Sequence, residues 1–287
     1  MPFPEIAVII STYQRPQHLR RSLESLAMQR CGSDVFEVIV TDDGSRDETE
    51  ELVASFAERV DFAVTFTTHE HQKFQLSKCR NEGVTVSQAP YILFLDGDLI
   101  CPPDFVTQHL KHRKRGYAMA GDSIWMNQKV SESIDIEDIR RGDFSSWATD
   151  QEERRMRWKA LRAAVYSRLG LPDRPRMKGG NIALWREDYE TINGYDQDFV
   201  GWGLEDSDLQ RRLYQAGVRF LSSMRWTRTH HLWHARDPSY VAKASGTQNE
   251  KLMKAPRPTR CANGLNQRHE MTVRRFGKSQ PLRYAAA

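Results

Sequence analysis

Two carboxylates, Asp96 and Asp98, stand one glycine apart directly after the apolar run Tyr91-Ile92-Leu93-Phe94-Leu95. A run of that length and β-character suits a fully buried strand of a parallel sheet, and open α/β sheets carry ligands at the carboxyl ends of such strands. Hard divalent cations take oxygen ligands and commonly share them with substrate phosphates, so the pair predicts a metal and diphosphate site. The plain alternative is a solvated turn, because Asp and Gly are ordinary turn residues. Two carboxylates do not complete a divalent site. His230, His231 and His234 offer imidazole ligands that suit Mn²⁺ beside oxygen, although a buried, hydrogen-bonded histidine is the structural alternative for each taken singly. A further acidic pair, Glu205-Asp206, heads a segment with Leu209, Leu213 and Tyr214 at helical spacing and Gly217 as its stop. The helix macrodipole alone also favours acids in a first turn, so Asp208 and one of the pair can be merely stabilising.

The elements that would position these groups follow from periodicity. Ile6 to Ile10 reads as a strand, Ser11 to Pro16 as a polar break, and Leu19, Leu23 and Leu26 as one face of a helix. The pattern repeats: a strand at Phe36 to Val40, a loop at Thr41 to Ser45, and a helix from about Asp47 with Leu52, Val53 and Phe56. A short strand at Ala63 to Phe66, a helix at Leu76 to Val86 and the strand at Tyr91 to Leu95 complete the series. Strands alternating with helices imply right-handed crossovers and a mostly parallel sheet, α/β in class. Loops 11–16, 41–47 and 96–98 then emerge on one sheet edge. This is a nucleotide site by geometry, yet the chain has no Gly-x-Gly-x-x-Gly and no Gly-Lys-Ser/Thr phosphate loop.

Four segments in order carry a resemblance: Val8-Ile9-Ile10-Ser11-Thr12-Tyr13-Gln14-Arg15-Pro16, Val38-Ile39-Val40-Thr41-Asp42-Asp43-Gly44-Ser45, Arg80-Asn81-Glu82-Gly83 and Leu93-Phe94-Leu95-Asp96-Gly97-Asp98. With them the chain resembles the family 2 glycosyltransferases of GT-A fold. Downstream, Gly179-Gly180-Asn181-Ile182-Ala183-Leu184-Trp185-Arg186 and Gly194-Tyr195-Asp196 through Gly201-Trp202-Gly203-Leu204-Glu205-Asp206-Ser207-Asp208 resemble the acceptor half of β-1,4-galactosyltransferases and bacterial chondroitin-type polymerases.

The resemblance implies an inverting, metal-dependent transferase that moves a hexose or N-acetylhexosamine from a UDP-sugar to a glycan acceptor, with Mn²⁺ or Mg²⁺ as cofactor. It assigns Thr12, Tyr13, Arg15, Asp42 and Asp43 to the nucleoside, and Arg80, Asp96 and Gly180 to the diphosphate and donor sugar. Asp42 and Asp43 have a structural alternative, a turn and a cap for the helix from about Asp47; Arg80 has another, a solvated helix arginine. For the metal the resemblance implies Asp96, Asp98 and a histidine, His231 first and His234 second. It makes Asp206 the catalytic base, with Trp202, Gly203 and Glu205 as acceptor contacts. An aromatic flanked by glycines suits stacking on a sugar, and a carboxylate base needs only to reach the hydroxyl. The rivals are a sugar-1-phosphate nucleotidyltransferase and a catalytically silent glycan-binding protein, which would keep Trp202 but need neither Asp206 nor metal.

Composition narrows the rest. With 287 residues, 39% of them hydrophobic, the chain can bury one substantial core, and no apolar run approaches the ~20 residues of a membrane span. The first strand starts within six residues of Met1, which argues against a signal peptide. Cys31, Cys79, Cys101 and Cys261 lie far apart without metal-type spacing, as expected of reduced thiols in a cytoplasmic protein. From residue 210 onward sixteen Lys/Arg face three Asp/Glu, a balance of +13 against −9 for the remainder. A single domain over 1–240 is therefore expected, with a nucleotide-binding half at 1–100, an acceptor half at 101–240 and a helical insertion at 125–175. In that insertion Trp158, Leu161 and Val165 share one helix face. A basic extension, 241–287, follows. Its Arg257, Arg260, Arg268, Arg274, Arg275, Lys278 and Arg283 would suit peripheral contact with an anionic membrane or a charged, lipid-linked acceptor. Residues 265–287 carry no apolar periodicity and are expected to fold apart from the core. Nucleic acid is excluded as a partner, since no aromatic-basic module accompanies the charge.

Overall fold

The computed structural model describes residues 3–142, 144–178, 180–235, 246–267 and 270–276. The alternation runs β1 (Ile6–Thr12), α1 (Pro16–Ala27), β2 (Phe36–Asp42), α2 (Thr49–Ala57), β3 (Val64–Thr68), α3 (Leu76–Val86) and β4 (Tyr91–Asp96). Next come β5 (Leu99–Ile100), α4 (Phe105–His112), β6 (Tyr117–Ala120), β7 (Ser123–Trp125), α5 (Gln128–Ser133), α6 (Ile136–Arg141) and α7 (Asp150–Leu169). The chain continues through β8 (Asn181–Trp185), α8 (Arg186–Thr191), α9 (Glu205–Gln215), β9 (Arg219–Ser222), β10 (Thr229–His231), α10 (Gln248–Lys254) and β11 (Thr272–Phe276).

An eight-stranded sheet in the order β11-β3-β2-β1-β4-β8-β6-β9 forms the centre, parallel from β3 through β4 and again between β6 and β9. Strand β8 runs antiparallel between β4 and β6, and a three-stranded sheet β5-β10-β7 stands beside it. This is the mixed α/β architecture of the GT-A fold. All seven residues of β1 are buried because both faces are covered. Ile6, Val8 and Ile10 pack with Leu19, Leu23 and Leu26 of α1 on one side; Ala7 and Ile9 pack with Tyr189, Leu209 and Leu213 on the other. Pro16 opens α1, where its missing N–H costs nothing and its fixed φ suits the helix.

Helix α3 lies unusually close to the sheet, since a Cβ at Gly83 would meet Ile9 Cγ2 at 2.5 Å. That approach fixes where the residues before Gly83 point.

Two expectations are corrected. Residues 265–267 and 270–276 do not fold apart: β11 adds an antiparallel edge strand to β3, Leu265 packs against the core, and Asn266 donates its backbone N–H to Asn193. Its pattern Thr-Val-Arg-Arg-Phe is mostly exposed, which is why apolar periodicity missed it. Within the 241–287 extension Cys261 is buried and donates toward Asn193 O at 3.4 Å, which ties that stretch to the core. Trp158, Leu161 and Val165 share a face of α7 as expected, and that face is the outward one; Met156, Ala160 and Ala163 pack inward. Arg268, Lys278 and Arg283, the 240/241 boundary and Gly179 lie outside the described residues.

Candidate functional site

Ladder register brings the polar loops to one edge: Ser11 pairs with Asp96 and with Thr41, and Thr12 with Asp42. Gly97 N–H donates to Ser11 O at 2.9 Å and Leu232 N–H to Asp98 O at 2.9 Å, so the Asp-Gly-Asp turn is pinned between β1 and the histidine segment. It is not the solvated turn that composition alone allows.

Asp98, His231 and His234 converge, with ligand atoms within 4.8 Å of one another. His234 Nε2 lies 3.0 Å from Asp98 Oδ2 and His231 Nε2 lies 3.6 Å from Asp98 Oδ1. Each ring donates Nδ1–H to a backbone carbonyl, His231 to Leu232 O and His234 to Ala235 O, both at 2.7 Å. Those bonds orient the rings and turn each Nε2 toward Asp98. Burial alone would raise the Asp98 carboxyl, but the bond to His234 and the charges of His231, His234 and Arg15 outweigh it and bring it to about 2. Its buried Oδ1 has no hydrogen-bond partner. An anionic oxygen without a partner and two imidazole nitrogens are the donor set a divalent cation takes.

Asp96 does not join this trio. Its Oδ1 accepts from Arg80 Nη2 at 3.0 Å, and burial raises its pKa against that pairing. Gly180 belongs beside it, for a Cβ there would meet Asp96 Oδ2 at 2.9 Å. His230 is the structural histidine of the cluster: it is set edge-on to Phe144 and Trp147, and burial brings it to about 4.

Arg80 is fully buried rather than solvated, which corrects the helix-surface alternative. Its Nη1 donates to Asp206 Oδ1 and to Tyr195 Oη, while Nη2 holds Asp96. One guanidinium therefore joins the end of β4 to the start of α9. Tyr195 also donates to Asp206 Oδ1 at 2.8 Å, so that oxygen is fixed from two directions. Glu205 is buried without a partner on Oε2, and burial followed by the Asp206 charge pushes it up to about 8. A carboxyl raised in this way can act as a hydrogen-bond donor. Asp208 is structural, bonded to buried Arg212 at 2.7 Å.

At the end of β2, Asp42 accepts from Ser45 N–H, Ser45 Oγ and Thr68 Oγ1, and so braces the turn. Neither Asp42 nor Asp43 caps α2; Asp47 receives the Thr49 N–H instead. Asp43 accepts from Gln75 N–H and pairs with His69 Nε2 at 3.0 Å, while His69 Nδ1 pairs with Glu82 at 2.8 Å. Thr12 is buried, Tyr13 stacks on His71 with ring centroids 4.2 Å apart, and Arg15 approaches Asp98 at 3.6 Å. Cys79 sits near Asp43 and His69, but both imidazole nitrogens already meet carboxylates, so that group is an ion cluster and not a metal site.

His69 gives a pH prediction. Burial would lower it, but the bonds to Asp43 and Glu82 outweigh burial and raise it from 6.5 to about 9. Its contribution to stability is therefore complete below pH 6.5 and lost as pH rises through 9, a difference of about 3 kcal/mol. The gap in urea midpoint between wild type and His69→Gln should narrow across that window; a constant gap would mean a neutral His69.

Ahead of α9, Trp202 stands half-exposed between Gly201 and Gly203, and Asn249 of α10 donates to Gly203 O at 2.9 Å. Three residues were not singled out from sequence. Tyr195 was legible as part of the quoted Gly-Tyr-Asp motif. Trp125, exposed and stacked on His231 at 3.8 Å, and His69 gave no signal, because a lone aromatic or histidine after a short strand has no characteristic spacing. The front of the 125–175 insertion buttresses the histidines: Ile134, Ile139, Phe144 and Trp147 pack on Leu232, and Ser131 Oγ accepts from Trp233 N–H.

Residues 7–169 match the sequence profile of glycosyl transferase family 2. The chain belongs to that family. Residues 170–235 match a second profile, described as the N-terminal domain of galactosyltransferase, so the junction falls at the end of α7. Among curated relatives, validoxylamine A glucosyltransferase of Streptomyces hygroscopicus subsp. limoneus is 30% identical over 75% of this chain and 49% of the relative. Chondroitin synthase of Escherichia coli is 25% identical over 76% of this chain and 33% of that protein. The family 2 chain thus spans about half or less of their length. Among solved structures, S. aureus TarS 1-349 in complex with UDP-GlcNAc matches with TM-score 0.56 and 16% identity over 87% of this chain and 65% of that one. A mannosyltransferase from Pyrobaculum calidifontis in complex with GDP-Man and Mn²⁺ matches with TM-score 0.54 and 17% identity, covering 77% and 55%. At these identities the structures bear on fold alone.

Proposed function

We propose that this chain is an inverting glycosyltransferase that moves a hexose or N-acetylhexosamine from a UDP-sugar to a hydroxyl of a glycan or lipid-linked glycan, in synthesis of a polysaccharide or glycoconjugate. The observation that carries it is Arg80, whose guanidinium binds Asp96 on the donor edge and Asp206 on the acceptor helix. It holds the two halves of a displacement in register. Asp206 keeps Oδ1 on Arg80 and Tyr195, which leaves Oδ2 to take the proton of the attacking hydroxyl. As the acceptor oxygen bonds to the anomeric carbon, the bond to the diphosphate breaks on the opposite face and UDP leaves. Asp98, His231 and His234 would hold a divalent cation. A bound Mn²⁺ or Mg²⁺ would neutralise the charge of the diphosphate. Glu205, protonated at neutral pH, can donate to an acceptor oxygen, and Trp202 and Trp125 offer aromatic faces for sugar rings.

The TarS neighbours hold UDP and UDP-GlcNAc and the mannosyltransferase neighbour holds GDP-Man, so a donor screen decides the nucleotide; the glycan acceptor is supported by the chondroitin synthase relatives. All four cysteines are free and three are buried, in accord with a reducing, cytoplasmic setting. No helix among the described residues is long and apolar enough to cross a membrane. Incubation with UDP-, GDP- and dTDP-sugars plus Mn²⁺ should release nucleoside diphosphate from a UDP-hexose or UDP-N-acetylhexosamine. Release from GDP-sugars alone would overturn the donor, and formation of a nucleotide sugar from UTP and sugar phosphate would overturn the reaction.

A further inference from the structure

Helix α7 turns its large apolar side chains the wrong way for a soluble helix. Trp158, Leu161, Val165 and Leu169, spaced three, four and four residues apart, are 69%, 54%, 55% and 65% exposed. Its inward residues are the small or flexible ones, Met156, Ala160 and Ala163, against Ile124 and Met224. A row of this spacing makes one continuous stripe along the helix. Arg154 and Arg162, four residues either side of Trp158, lie on the same stripe, and Arg155, Arg157 and Arg168 flank it; all five are exposed. The acids are at the other end or spent: Glu152 closes a capping box with Thr149, and Glu153 pairs with Arg228 at 2.9 Å. Lys159, on the inner side, pairs with Asp122.

We propose that α7 is a membrane-docking helix, which lays this stripe on an anionic bilayer with the arginines among the headgroups. An apolar face of Trp, Leu and Val bordered by arginine is the pattern of a helix that lies in the interface plane. The charge selects the partner: basic residues near an anionic leaflet are attracted individually, whereas a second copy of the same stripe would bring five arginines against five. The surface is separate from the basic C-terminal strand, which stands at the opposite edge of the central sheet. It is one packing layer from the site, because Ile124 under α7 precedes Trp125, which stacks on His231, and Asp122 binds both Lys159 and Lys178 before the Gly180 loop. A bilayer seated there would present an acceptor carried on a lipid. That consequence rests on the transferase reading; the docking itself does not.

The test is flotation of the full chain with vesicles of phosphatidylcholine alone or mixed with phosphatidylglycerol, at low and high salt. Wild type should float with the anionic vesicles, less so in high salt. The variant Leu161→Ser/Val165→Ser/Leu169→Ser and the variant Arg154→Gln/Arg162→Gln should each bind about tenfold more weakly or worse, with urea midpoints and soluble donor hydrolysis unchanged. Arg274→Gln/Arg275→Gln should retain most binding. No flotation of wild type, or undiminished flotation of both α7 variants, overturns the proposal. So does a wild-type dimer that the triple variant splits, which would make the stripe an interface between copies. Loss of donor hydrolysis with retained flotation would strike the transferase reading and leave the docking surface standing.

Discussion

Asp206→Asn is expected to lower transfer to an acceptor by about 10²–10⁴-fold, the usual contribution of a positioned general base, while UDP affinity stays within about threefold. Asparagine keeps the carbonyl oxygen that Arg80 and Tyr195 hold, so the bridge from α3 to α9 survives in shape. What it loses is the proton affinity of the second oxygen. The companion variant Glu205→Gln separates roles within the pair. Glu205 is pushed up to about 8 by burial and by Asp206, so glutamine resembles the protonated form that prevails at neutral pH. It should cost mainly acceptor affinity, and its deficit in turnover should remain small below pH 8. Steady-state kinetics with acceptor varied at saturating donor distinguishes the two. Unchanged turnover in Asp206→Asn together with weakened donor binding would move that residue to the donor side and leave the hydroxyl proton without a base.

Much of this site was readable from sequence because it is built at strand ends. Apolar runs bounded by polar breaks located β1, β2 and β4, and α3 was placed from Leu76 to Val86 by its periodicity. The motif Arg80-Asn81-Glu82-Gly83 had no physical content until the fold supplied partners. Arg80 serves Asp96 and Asp206, Asn81 accepts from Tyr189 Oη at 2.5 Å, Glu82 holds His69, and Gly83 lets the helix touch β1. Each partner is remote in sequence, so no local spacing announces the pairing. The same applies to the division between Asp96 and Asp98. Their side chains leave a tight turn in different directions, one toward α3 and one toward β10, and one-dimensional spacing cannot say which. Amphipathicity placed the apolar stripe of α7 on one face but not on which side of the molecule, because a stripe bound for lipid and one bound for the core have the same period.

That division also sets the expected metal dependence. Chelation with EDTA should abolish transfer, and added Mn²⁺ should restore it. Within the chain, Asp98→Asn, His231→Gln and His234→Gln should each weaken Mn²⁺ binding, measured directly by the loss of free-ion signal in electron paramagnetic resonance. Asp98 has the largest expected effect because its carboxylate is the anionic member of the trio, and losing even a residue that only orients a metal ligand typically costs about 10–100-fold in affinity. His230→Gln is the control, since that ring packs edge-on against the stacked Phe144 and Trp147 and its loss should cost stability without changing Mn²⁺ binding. Asp96→Asn should fall between the two: Arg80 loses a buried counter-charge, so donor affinity drops while the cation still binds to Asp98, His231 and His234. Full transfer by Asp98→Asn in excess chelator would remove the metal from the mechanism. In that case Arg80 and Arg15, which pair with Asp96 and Asp98 at this edge, would be left to balance the diphosphate, and the bond from His234 to Asp98 would be structural.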